Sequence, residues 1–137
     1  MAEKIELILS LSRLQTKFQK RIDQCLSVHG IGFSEFLVMY HLNKAPNQTM
    51  RRIDLAESLG MTASGVTRLV NPMEKTHLVQ KEQNPRDARV SLVQLSTAGA
   101  EILADATTSF GQAAEDLLQP LGEKQLGSCV DLVGLLL

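Results

Sequence analysis

The chain has 137 residues, 44% of them hydrophobic and 21% charged, with a formal net charge of −1. That describes an ordinary soluble protein of one domain, long enough for a real core, and it excludes a uniformly basic nucleic-acid-binding surface. No run of about eighteen apolar residues occurs and the N-terminus lacks a basic-then-apolar signal layout, so a cytoplasmic protein with no membrane partner is expected.

In chain order, Ile5, Ile8, Leu11, Leu14, Phe18, Ile22 and Leu26 recur at spacings of three and four, opposite Glu6, Ser10, Arg13, Lys17, Arg21 and Gln24. This predicts a long amphipathic first helix ending near His29-Gly30. Ser34 is expected to cap a second helix through Leu37, Val38, Tyr40 and Leu42, which must stop before Pro46 because the residue preceding proline leaves the helical region. A short third helix, Arg51 to Leu59, is closed by Gly60, and Thr62 caps a fourth that runs through Ala63, Val66 and Val70. Pro72 interrupts it. Either the helix continues with a kink, the favoured reading, or Asn71 caps a new one with Glu74 completing a capping box.

Two strands are predicted at Leu78–Glu82 and Val90–Leu95, joined by a Pro-Arg-Asp turn at residues 85–87. Ser96 or Thr97 opens a fifth helix through Ile102, Leu103, Phe110, Ala113 and Leu117, and Pro120-Leu121-Gly122 separates it from a sixth. Helix, turn, helix and hairpin in this order define a mainly α chain with a small β-wing, a winged helix-turn-helix. The expected organisation is a single domain over residues 1–137, with 33–96 forming the DNA-binding unit and 1–30 and 97–137 supplying dimerisation helices. Leu117, Leu121, Leu126, Val130, Val133 and Leu137 cover more than one helical face, a surface that a two-fold dimer would bury.

The chemistry follows from this placement. Thr62, Ser64, Gly65, Thr67 and Arg68 fall in the first half of the fourth helix. There, hydroxyls can bond bases or phosphates, a glycine lets the backbone approach closely, and an arginine fork can grip guanine. Arg86 and Arg89 lie at the hairpin tip, suited to a narrow minor groove, with Asp87 orienting Arg89 through a charge-assisted bond. Arg51, Arg52, Lys75 and Lys81 are candidate phosphate contacts. Residues 1–50 carry six Lys/Arg against four Asp/Glu, residues 51–90 seven against five and residues 91–137 one against six. The middle can therefore still turn a basic face to DNA. His29, His41 and His77 are not at metal-ligand spacing, and no nucleophile elbow, phosphate loop or acid/base pair occurs, so neither metal, cofactor nor catalysis is expected. Cys25 and Cys129 stand far apart with no CxxC and read as small hydrophobes.

The segment Asn84-Pro85-Arg86-Asp87-Ala88-Arg89 with Val90–Leu95, Ser96 and Gly99 resembles the wing of the MarR (multiple antibiotic resistance regulator) family, an Asp-x-Arg followed by an apolar strand, Leu-Thr and a glycine. Leu55–Gly60, Val66–Val70, Met73-Glu74-Lys75 and Leu78-Val79 are similar to its helix-turn-helix, the likeness spanning about residues 33–103. Ser96 stands where threonine is usual, and His77 replaces a frequent glycine, so His77 is expected at positive φ. The resemblance implies a homodimeric repressor on a pseudo-palindromic operator. It further implies release by a small aromatic or amphipathic effector bound between the dimerisation helices and the winged unit. Two other readings stand beside it: a winged-helix protein-interaction module without DNA binding, and oxidation of Cys25 as the trigger, a role some relatives give to a first-helix cysteine.

Overall fold

In the computed structural model, which describes residues 1–137, the first helix, α1 (Ala2–Ser27), is a single rod of 26 residues. Its last turns reach the core through Cys25 and Leu26, while Ile5, Ile8, Leu9, Leu11 and Leu14 stay exposed. The second helix, α2 (Phe33–Lys44), buries Phe36, Val38, Met39 and Leu42. Its cap is Gly32, not Ser34. Gly32 is extended and its N–H donates to Glu35 Oε1 at 2.9 Å, so the carboxylate three residues on fixes the start two residues earlier than a cap at Ser34 requires. The helix stops at Lys44, with Ala45 extended ahead of Pro46.

Beyond the turn Pro46–Gln48, where Asn47 and Gln48 hold φ of 56° and 54°, comes a strand the sequence did not announce, β1 (Thr49–Arg51). It leads into α3 (Arg52–Leu59), closed by Gly60 at φ 65°, and then α4 (Ala63–Lys75). Thr62 caps α4 by accepting the Gly65 N–H at 3.1 Å. The helix runs unbroken through Pro72, whose carbonyl accepts the Thr76 N–H at 3.1 Å. His77 follows at φ 64°, as expected for a side chain in a glycine position.

The hairpin is longer than its apolar pattern indicates. β2 (Val79–Asn84) and β3 (Asp87–Leu95) pair antiparallel from Val79↔Leu95 to Asn84↔Asp87, with an irregularity at Gln83/Asn84. β1 pairs with the other edge of β3, from Thr49↔Gln94 to Arg51↔Leu92, giving the order β1-β3-β2. Ser96 caps α5 (Thr97–Leu118) by accepting the Gly99 N–H at 2.9 Å, and its hydroxyl is also 2.9 Å from the Leu78 carbonyl. On the far side of α5, Phe110 stacks on Phe36 with ring centroids 4.9 Å apart, locking α5 to α2.

The core that these helices and the root of the hairpin enclose is apolar throughout, with no polar or charged residue buried. The last helix, α6 (Glu123–Leu136), contributes nothing to it: every residue is exposed, including Leu126, Val130, Leu132, Val133, Leu135 and Leu136. With the first half of α1, this leaves a broad apolar surface uncovered within one chain.

Candidate nucleic-acid interface

α4 is amphipathic in the sense the helix-turn-helix reading needs. Val66, Val70 and Met73 are fully buried, which turns Ser64, Thr67, Arg68, Asn71 and Lys75 outward. Thr67 and Arg68 are exposed and their side chains make no hydrogen bond within the chain, so both are free for a ligand. Thr62 is occupied by its cap and by a 3.2 Å bond with the Ser64 hydroxyl. A Cβ at Gly65 would lie 3.2 Å from both Met61 Cε and Thr62 Oγ1, so the turn before the helix also favours glycine there. Arg68 also borders an open cleft of about 420 Å³ whose walls carry the carboxylates Asp23 and Glu35.

At the hairpin tip the Asp87 carboxylate accepts the Arg89 backbone N–H at 3.0 Å, Nε at 3.2 Å and Nη2 at 3.4 Å. The expected orienting contact is therefore present, and the Arg89 guanidinium beside it, then the backbone N–H, holds the Asp87 carboxyl below the usual carboxylate range. The Arg89 side chain remains 91% exposed. Asn84 accepts the Arg86 N–H at 2.9 Å, an Asx turn that sets up the tip and leaves the Arg86 side chain in solvent.

The two candidate phosphate contacts at the start of α3 have different surroundings. Arg51 pairs with Asp54 in a two-pronged contact of 2.8 and 3.0 Å at the surface, which raises the arginine and lowers the aspartate. Arg52 points inward and is only 14% exposed. Its Nη2 donates to Glu74 Oε1 at 2.9 Å and its Nε to Ser91 Oγ at 3.1 Å, while Nη1 is buried with no partner. Sequence reasoning overlooked Glu74 and Ser91 in this role. Lys75 and Lys81 are exposed.

Elsewhere, no three His, Cys, Asp or Glu side chains gather as a metal site would require, and no helix is long and apolar enough to cross a membrane. Cys25 is buried, its thiol donating to the Ile22 carbonyl at 3.2 Å, and burial pushes its pKa up despite the opposing effect of Arg21.

A capped helix-turn-helix whose second helix exposes a polar face, followed by an arginine-tipped hairpin braced by a third strand, defines the winged helix-turn-helix class of protein. The profile of the MarR family matches residues 29–90. The chain is 27% identical over 130 residues to the uncharacterized HTH-type transcriptional regulator YhbI of Bacillus subtilis, covering 94% of this chain and 83% of that protein. It is 22% identical over 134 residues to the HTH-type transcriptional regulator MhqR of the same organism, covering 97% and 91%. A mutant MarR from E. coli, crystallised with operator DNA, superposes with a TM-score of 0.90 at 24% identity, covering 98% of this chain and 96% of that one. The chain is thus similar to MarR-family regulators, with the family profile covering somewhat less than half of its residues.

Proposed function

We infer that this protein is a sequence-specific DNA-binding transcriptional regulator, a repressor that acts in the cytoplasm as a homodimer on a pseudo-palindromic operator. The observation that carries this reading is the outward face of α4, where Thr67 and Arg68 stand free while Val66, Val70 and Met73 anchor the helix to the core. In this reading Ser64, Thr67 and Arg68 meet base edges in the major groove, with Thr62 and Gly65 shaping the helix start. Arg86 and Arg89, the latter set by Asp87, enter the neighbouring minor groove, and Arg51 lies near the phosphates. The apolar surface of α6 and the first half of α1 is what a second copy would cover, and two-fold pairing brings two reading heads to half-sites about 10 bp apart. Release comes from a small-molecule effector bound between the terminal helices and the winged unit, which alters that spacing. The curated relatives named above are transcriptional regulators, and the E. coli MarR mutant was crystallised on operator DNA.

Selection of bound duplexes from a random pool tests this. The expected result is enrichment of a two-fold sequence with half-sites one helical turn apart, with affinity that falls as salt rises. No enrichment, together with no salt-dependent binding to any duplex, would overturn it in favour of a protein-interaction module.

A further inference from the structure

We propose that Arg52 is a positioning residue that holds the recognition helix α4 and the hairpin at a fixed mutual angle, so that the major-groove and minor-groove contacts are made in register. The proposal rests on the DNA-binding reading and goes beyond it, because it removes Arg52 from the phosphate contacts and gives it a different task.

The geometry is a three-element clamp. Arg52 opens α3, its Nη2 reaches Glu74 in the last full turn of α4 at 2.9 Å, and its Nε reaches Ser91 on β3 at 3.1 Å. No other side-chain hydrogen bond joins α4 to β2 or β3; otherwise they meet at the hairpin root, where the Leu78 N–H donates to the Met73 carbonyl at 3.0 Å. β1 braces β3 only as far as Leu92, and the clamp takes hold at the next residue toward the tip. Beyond Ser91 the hairpin is an unsupported two-stranded ribbon, which is marginal on its own. Ser91 lies four positions from Leu95 at the root, a lever of roughly 13 Å, and Arg89 lies further out still, beyond the ladder irregularity at Gln83/Asn84. A pivot at the root would thus displace Arg86 and Arg89 more than Ser91, and the clamp blocks that pivot.

Chemistry points the same way. The fork of arginine can present two donors to two elements in fixed directions, whereas an ammonium is a point charge. A phosphate role fits poorly, because Glu74 already answers the charge, the side chain is 14% exposed and Nη1 is buried. Stability is a weak reason for the arrangement: a half-buried ion pair that leaves one donor unpartnered is often no better than apolar packing of the same volume.

The test uses the full-length protein and the duplex that it selects. Arg52→Met/Glu74→Met removes both charges, leaves net charge unchanged and avoids a lone buried ion. Arg52→Lys keeps the charge but not the fork, and Arg89→Ala is made in each background. Binding is measured by fluorescence anisotropy across a salt series, with thermal unfolding alongside. In the Arg89→Ala background the salt slope of the double variant is expected to match that of Arg89→Ala alone, where loss of a phosphate contact by Arg52 would lower it by about 0.9 per protomer. Its melting temperature should stay close to that of wild type. Arg89→Ala should weaken operator binding by about fivefold or more in the wild-type background and by less than about twofold in the clampless ones, Arg52→Lys included, since distant sites that are not coupled give additive effects. Additive costs in every background, or a slope reduced by about 0.9 within the Arg89→Ala background, would overturn the proposal while leaving DNA binding intact. A wild-type protein silent toward every duplex would overturn both.

Discussion

Replacing Gly99 by alanine is the sharpest probe of how the winged unit is joined to the C-terminal helices. Gly99 is the third residue of α5, and a Cβ there would lie 2.1 Å from the Leu78 carbonyl oxygen and 2.9 Å from Leu95 Cδ1, far inside ordinary contact of about 3.5 Å. The oxygen belongs to backbone at the hairpin root and cannot swing away as a side-chain end would. Relief therefore requires α5 to retreat by about an ångström. The same oxygen accepts the Ser96 N–H at 3.2 Å and lies 2.9 Å from the Ser96 hydroxyl, so retreat loosens those contacts too. Overpacking costs about 1–3 kcal/mol and each weakened hydrogen bond up to about 1 kcal/mol, against a gain of about 1 kcal/mol from replacing a helical glycine with alanine. The balance is a loss centred on about 2 kcal/mol, which for a chain of this size lowers the melting temperature by roughly 8 °C. Circular dichroism melts at one fixed protein concentration, with urea midpoints as a second measure, read this directly. An unchanged or higher melting temperature for Gly99→Ala would refute the reasoning, because it would mean that α5 can leave the Leu78 carbonyl without penalty.

Two further outcomes follow from the titrating groups. The Asp87 carboxyl, lowered first by the Arg89 guanidinium, should titrate by NMR below the ordinary aspartate range of about 3.9. Whatever it contributes to the hairpin is then present above that range and fades only as pH falls through its depressed value. Arg89→Ala should return it toward the ordinary range, and an Asp87 that titrates normally in the native protein would break the link. Cys25, with its thiol raised by burial, should react with peroxide or iodoacetamide at neutral pH at least about tenfold more slowly than the same thiol in urea. Equal rates, read by mass spectrometry of the Cys25 peptide, would revive an oxidation trigger.

Much of the fold was legible because its signals are local. The three-and-four spacing of α1, the hydroxyl caps Thr62 and Ser96, the stop before Pro46 and the positive φ of His77 each depend on a few neighbouring residues, and each is where the pattern put it. The failures have a common cause in partners distant along the chain. Thr49–Arg51 has no alternation to mark a strand and is one only because β3 offers its free edge. The hairpin ladder continues through Gln83 and Asn84 opposite Ser91 and Asp87, polar residues that an apolar pattern cannot register. At α2 the serine at 34 signalled a cap, but the reach of Glu35 back to the Gly32 N–H set the start instead.

The site divides along the same line, and Arg51 and Arg52 show why. Their side chains are chemically identical and the sequence gives both the same context, adjacent cations ahead of a short helix. Arg51 ends β1 in extended backbone and Arg52 begins α3, and that change of backbone separates their fates. Arg51 finds Asp54 three positions away, a pairing legible from sequence, and stays at the surface. Arg52 turns toward residues 22 and 39 positions downstream, which only the packing of α4 and β3 against α3 brings within reach. Asp87 and Arg89, by contrast, are two residues apart and announced their contact in advance. A candidate site residue is recognisable when its supporting partner is near in sequence. A residue that sets the angle between two reading elements has to bond to both, so its role becomes visible only once the fold has brought them together.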